Sequence, residues 1–147
     1  MSYTARELFA RTIKCEAGGE GDTGMRAVAT VIMNRVHVAY GEYLKLCQGD
    51  LRKVITQPYQ FTCLLPTLGG KTNPQTVWSS PPEEIHYQIA DWALSGNKLF
   101  SIGECLWYFN PYLLTCPSTF PRNGTGSFIS RIGDHCFYIP TQLYAQT

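Results

Sequence analysis

The sequence predicts a helix-dominant α+β fold, and three observations carry that expectation. Apolar residues recur at helical spacing in two early stretches: Leu8, Phe9, Thr12 and Ile13, then Met25, Val28, Ala29, Ile32 and Val36. The last third changes to short aromatic and β-branched runs, of which Phe128-Ile129-Ser130-Arg131-Ile132 and His135-Cys136-Phe137-Tyr138-Ile139 flank Gly133-Asp134 as the arms of a hairpin. Helices therefore come first and a small antiparallel sheet follows, with no repeat and no linker between them. At 147 residues the chain is expected to form one domain spanning 1–147.

The elements follow in order. Thr4-Ala5-Arg6-Glu7 reads as a capping box opening the first helix, which reaches Glu16 and ends at Gly18-Gly19, where positive φ costs glycine little. Asp22 or Thr23 caps a second helix running to about Val38. Gly49-Asp50 starts a short third helix through about Ile55, stopped by Gln57-Pro58, and Tyr59-Gln60-Phe61-Thr62 reads as a groove wall. Residues 66–82 are rich in Pro, Gly, Thr, Ser and Asn and read as a loop. Ser80-Pro81-Pro82-Glu83 is a second capping box with proline at the first helical position; its helix buries Ile85, Ile89, Trp92 and Ala93 and stops at Gly96. Cys105–Phe109 forms a strand ended by Asn110-Pro111, and 111–126 is again loop.

Composition narrows the function classes. A net charge of +1 argues against nucleic acid or an anionic membrane surface as partner. No run of about 18 apolar residues exists to span a bilayer, and Arg6, Glu7 and Arg11 interrupt any secretory leader. The six cysteines, at 15, 47, 63, 105, 116 and 136, are therefore expected to be reduced and mostly buried. They include no C-x-x-C pair, so no metal and no cofactor is expected.

The chemistry is expected at Ile13–Gly21. Glu16 stands on the last turn of an amphipathic helix facing a glycine-lined opening. The negative end of the helix and apolar neighbours both favour its neutral form, as a general acid requires. An unperturbed glutamic acid, with a pKa of about 4.3, is almost wholly ionised at neutral pH.

Several motifs in order resemble one family. Cys15-Glu16-Ala17-Gly18-Gly19-Glu20-Gly21, Gly24, Asn34-Arg35-Val36, Gln57-Pro58, Gln60-Phe61, Leu106-Trp107-Tyr108-Phe109-Asn110-Pro111 and Asp134-His135-Cys136-Phe137-Tyr138 are similar to the successive motifs of the spore cortex-lytic cell-wall hydrolases. The resemblance runs from about Ala5 to Pro140 and is to the short members that lack a leader and a peptidoglycan-binding repeat. It implies a lysozyme-like catalytic domain acting on spore cortex peptidoglycan in germination. It also implies synthesis in the mother-cell cytoplasm and deposition at the coat–cortex boundary through a spore-coat partner protein.

The resemblance maps the family's catalytic glutamate onto Glu16 and implies a lytic transglycosylase, in which one carboxyl acts first as acid and then as base. Hydrolysis with two carboxylates is the alternative, and Glu20 is the obvious second group, though it reads better as ordering the loop. Asn34 and Arg35 are expected to buttress that loop or Glu16. Gln57, Gln60, Phe61, Tyr108 and Asn110 are the groove candidates, with His135 at its edge and Asp134 as a turn-former. Three histidines without paired spacing argue against a zinc amidase. Cys15 lies at the wrong end of a helix for a cysteine nucleophile. A non-catalytic coat protein of the same fold is the reading from another class.

Overall fold

The computed structural model describes residues 3–57, 61–64, 67, 68, 70–72 and 76–147. The first helix, α1 (Ala5–Ala17), is capped by Thr4, whose Oγ1 accepts from the Glu7 N–H at 3.1 Å. The expected reciprocal half of that box is absent, because the Glu7 carboxylate accepts from Arg11 Nε at 2.8 Å instead. Gly18 stays helical, with φ −57° and ψ −28°; the chain reverses only at Gly21, where φ is +78°.

The long α2 (Gly21–His37) is the centre of the fold. Its predicted stripe, Met25, Val28, Ala29 and Ile32, packs with Leu8, Phe9 and Ile13 of α1. The opposite side is buried as well: Ala27 and Val31 pack with Ile102, Cys105 and Phe137. α2 is therefore covered on two sides and reads as less amphipathic than it is buried.

Two short helices follow, α3 (Gly41–Cys47) and α4 (Leu51–Thr56). Asp50 caps α4, accepting from the Lys53 N–H at 3.0 Å as the sequence predicts. A 3₁₀ turn at Thr62–Leu64 follows the stretch read as a groove wall, and a two-residue ladder, β1 (Thr67–Leu68) with β2 (Lys71–Thr72), lies within the segment expected to be loop. The next helix, α5 (Glu84–Leu94), starts later than predicted. Two consecutive prolines hold 81–82 outside the helix, and Glu83 rather than Ser80 is its cap, with His86 Nδ1 accepting from the Glu83 N–H at 2.9 Å. Ile89 and Ala93 are buried as expected, while Ile85 and Trp92 are only partly covered.

The sheet has the order β3-β5-β4, all antiparallel, built from β3 (Trp107–Phe109), β4 (Gly126–Ile132) and β5 (His135–Pro140), with α6 (Gln142–Ala145) closing the chain. Ile132 pairs with His135 across the predicted Gly133-Asp134 turn.

The cysteines correct the sequence expectation. Cys15 is bonded to Cys63 and Cys116 to Cys136, leaving only Cys47 and Cys105 as buried thiols. The partners stand 48 and 20 residues apart, so the tertiary fold and not local spacing brings them together.

Candidate functional site

The end of α1 forms the floor of an open cleft of about 1000 Å³. Glu16 and Glu20 lie along it, the loop 76–83 walls one side, and Asn110, Tyr112, Asp134 and His135 from the sheet region wall the other. Lys14 Nζ donates to the Pro81 carbonyl at 2.8 Å and ties the loop wall to the floor.

Among the described residues, three groups stand around the Glu16 carboxyl. Tyr108, reaching over from β3, donates its hydroxyl to Oε1 at 2.6 Å. Burial first, then the nearby carboxylate, pushes the Tyr108 phenol well above its ordinary range, so it keeps its proton and acts only as donor. The Arg35 guanidinium lies close enough to favour the ionised carboxylate, and its Nε donates to the Leu106 carbonyl at 2.7 Å. On the other oxygen, Oε2 meets Cys63 Sγ at 3.0 Å. Cys63 is disulfide-bonded and has no hydrogen to give, so this is a close sulfur–oxygen contact. Tyr108 thus fixes Oε1 as an acceptor.

The balance of these effects favours the neutral acid. Loss of water around Glu16 raises its pKa and outweighs the Tyr108 hydrogen bond and the Arg35 charge, both of which lower it. Between them, burial on one side and a phenol plus guanidinium on the other let this group hold a proton and also tolerate losing it.

Glu20 occupies the turn between α1 and α2, with φ −96° and ψ 3°, and makes no side-chain cap. Its carboxylate packs against the hairpin turn: a Cβ on Gly133, whose φ is +57°, would stand 2.7 Å from Glu20 Oε2. Glu20 Oε1 is 3.6 Å from His135 Nδ1, a buried atom with no hydrogen-bond partner among the described residues. Burial lowers the His135 pKa against the opposing pull of Glu20, leaving a neutral imidazole that stacks edge-on to Tyr108 with centroids 5.1 Å apart.

The remaining sequence candidates divide. Asn110 and His135 line the cleft. Tyr108 stands behind it, in contact with Glu16. Asn34 lies elsewhere: its Nδ2 donates to the carbonyls of Gly103 and Cys105, at 2.8 and 2.9 Å, and anchors the approach to β3. Phe61 is a core residue, 2% exposed, with the Arg35 guanidinium 5.6 Å from its ring centre, so it is no groove wall. Gln57 ends α4 and faces the Cys47 thiol at 3.8 Å rather than the cleft. Gln60 lies outside the described residues. Asp134, expected only to shape the turn, also lines the cleft. The sequence reading missed the loop wall and Tyr112, because nothing local in 76–83 or 111–114 reports which cleft it faces.

Comparison with known proteins places this geometry in a family. The profile described as Cell Wall Hydrolase matches residues 19–138, which takes in Glu20, Tyr108 and His135 and begins just after Glu16. The chain is 29% identical over 135 residues to "Cell wall hydrolase CwlJ" of Bacillus subtilis, covering 92% of this chain and 84% of that protein. It is 30% identical over 135 residues to the "Spore cortex-lytic enzyme" of Oceanobacillus iheyensis, covering 89% of this chain and 40% of the relative. Among solved structures it superposes on the catalytic domain of the germination-specific lytic transglycosylase SleB from Bacillus anthracis, with a TM-score of 0.64, 28% identity, and coverage of 94% of this chain and 96% of that one. The SleB catalytic domain of Bacillus cereus gives a TM-score of 0.65 at 28% identity over 93% of this chain and 92% of that one. The helix-dominant α+β, lysozyme-like fold is thus shared with both, and the match across most of its length makes this chain a member of the Cell Wall Hydrolase family.

Proposed function

We propose that this protein degrades spore cortex peptidoglycan in germination as a lytic transglycosylase, with Glu16 as its single acid and base. One observation carries the reading: a buried carboxyl whose pKa is raised by loss of water, one oxygen fixed by the Tyr108 hydroxyl at 2.6 Å, on the floor of an open cleft. The names borne by its relatives, cortex-lytic enzyme and germination-specific lytic transglycosylase, supply the substrate class.

The chemistry follows from the two protonation states. Neutral Glu16 gives its proton to the glycosidic oxygen as the bond from C1 of N-acetylmuramic acid breaks, releasing the 4-hydroxyl of N-acetylglucosamine. The resulting carboxylate is stabilised by Tyr108 and Arg35. It then takes the proton of the muramyl 6-hydroxyl as O6 bonds to C1 and closes a 1,6-anhydro ring. No water is consumed, and Glu16 ends as it began, protonated. The working place in this reading is the cortex, with delivery by a spore-coat partner protein.

A second reading is favoured by Glu20 lying along the same cleft beside His135. There Glu20 activates water and the enzyme is a two-carboxylate hydrolase. Mass spectrometry of muropeptides released from decoated spores separates the two. Anhydro-muramic ends, absent with Glu16→Gln, support the transglycosylase; reducing muramic ends transfer the argument to Glu20; free peptides with intact glycan overturn both.

A further inference from the structure

Beyond Glu16, the cleft carries an exposed aromatic residue on a strained stretch of backbone. Tyr112 is 87% exposed, yet it adopts φ +54°, a conformation that bulky side chains rarely take. Backbone strain of this kind persists only where the surroundings over-determine it, and it clusters at ligand sites. The surroundings here do over-determine it. Asn110 Oδ1 accepts from the Tyr112 N–H at 2.8 Å. Arg131 Nη1 donates to the carbonyls of Leu113 and Leu114 at 2.9 and 3.0 Å, and its Nε donates to Gly133 at the hairpin turn. The Cys116–Cys136 disulfide then ties the end of the loop to β5. A loop fastened this firmly around an unburied ring is holding the ring in place for something else.

Its two neighbours are exposed as well: Leu113 is 60% and Leu114 100% exposed. Of the three, only Tyr112 lines the cleft that holds Glu16. The occupant that this position fits is therefore the one expected in the cleft. A pyranose ring presents an apolar C–H face, and tyrosine covers such a face while its hydroxyl stays in water.

We propose that Tyr112 is a sugar-stacking platform, a subsite that takes one N-acetylated pyranose of a β-1,4 glycan and holds the strand across Glu16. The proposal rests on the glycan-cleaving reading given above. Because the ring grips substrate and transition state alike, it acts on KM and leaves kcat nearly unchanged.

Binding without turnover tests it. In a Glu16→Gln background, titration with a β-1,4-linked N-acetylglucosamine hexasaccharide is expected to show about tenfold weaker affinity for Tyr112→Ala, with Tyr112→Trp at least as tight as the parent. Tyr112→Gly is the decisive variant, since glycine accepts the positive φ without steric strain. It should raise the melting temperature while losing the same affinity, a divergence that a purely structural tyrosine would not produce. With Glu16 present and cortex glycan as substrate, Tyr112→Ala should raise KM and keep kcat within about twofold.

Equal affinity of Tyr112→Ala and parent would overturn the platform while leaving glycan cleavage intact, and so would a Trp variant as weak as Ala. Capture of decoated spores lost with Leu114→Ser but kept with Tyr112→Ala would assign the tip to a protein partner instead. A parent that neither binds nor cleaves glycan would remove the platform together with the reading beneath it.

Discussion

The Tyr108 hydroxyl and the Glu16 carboxyl form a 2.6 Å hydrogen bond between the sheet and the end of α1, and they join residues 92 positions apart. This bond has two opposed effects. It holds Oε1 in one orientation, and it favours the ionised carboxylate, against the burial that favours the acid. Tyr108→Phe should therefore separate the two. Turnover is expected to fall by about 10- to 100-fold from lost positioning. The alkaline limb of kcat/KM against pH should at the same time move upward, because the group that lowered the Glu16 pKa is gone. A drop in rate with an unmoved limb would mean that Tyr108 does not touch the acid in the working enzyme.

Glu16→Gln gives a stability prediction with a definite sign. The folded pKa of Glu16 is raised above its ordinary value of 4.5, so folding favours the protonated form. The stability this group contributes is fully present below pH 4.5 and is lost as pH rises through the folded pKa. Glutamine keeps the acceptor for Tyr108 and has nothing to ionise. The variant should match the wild type in melting temperature near pH 4 and exceed it at pH 7, while cortex cleavage falls by at least about 100-fold. Equal melting temperatures at pH 7 would show that Glu16 ionises in the folded protein without cost.

How much of this arrangement the sequence discloses depends on how local each cause is. The stripes of α1 and α2, the Asp50 cap and the Gly133-Asp134 turn are written within a few residues, and they appear where expected. The short α3 left no signal, since only Gly41, Tyr43 and Cys47 of its seven residues are buried. Asn34 and Phe61 sit within family motifs, but their partners, the carbonyls at 103 and 105 and the Arg35 guanidinium, are set by the fold. Glu16 stood out because helix position and glycine context are local. The Cys15–Cys63 bond beside it did not, because its halves meet only after α1 and the 3₁₀ turn have packed.

That bond yields a third prediction. By the chain-entropy model a closed loop of 48 residues contributes about 4 kcal/mol and one of 20 residues about 3 kcal/mol. Cys15→Ser with Cys63→Ser should thus cost somewhat more in denaturant unfolding than Cys116→Ser with Cys136→Ser. The first pair should also change the pH profile of cleavage, because a sulfur at 3.0 Å from Glu16 Oε2 is replaced by hydroxyls that donate hydrogen bonds to a carboxylate. The alkaline limb moves downward in that case. If only stability changes, the disulfide is a brace and nothing more.

Gly133 offers the sharpest test of the second wall. Its φ of +57° disfavours any Cβ, and a Cβ there would stand 2.7 Å from Glu20 Oε2. Gly133→Ala should destabilise the fold by about 1–3 kcal/mol, measured by thermal unfolding. That clash is expected to push the carboxylate off its 3.6 Å approach to His135. With that partner withdrawn, the His135 pKa, already lowered by burial, falls further. A folded pKa below the ordinary value means stability present above pH 6.5 and lost as pH falls through the folded value, so the variant's deficit should widen toward acid. If Glu20 only orders the turn, kcat on cortex glycan stays near that of the wild type at temperatures where both are folded. If Glu20 activates water, kcat collapses with the fold intact, and reducing ends should vanish from the products before anything else does.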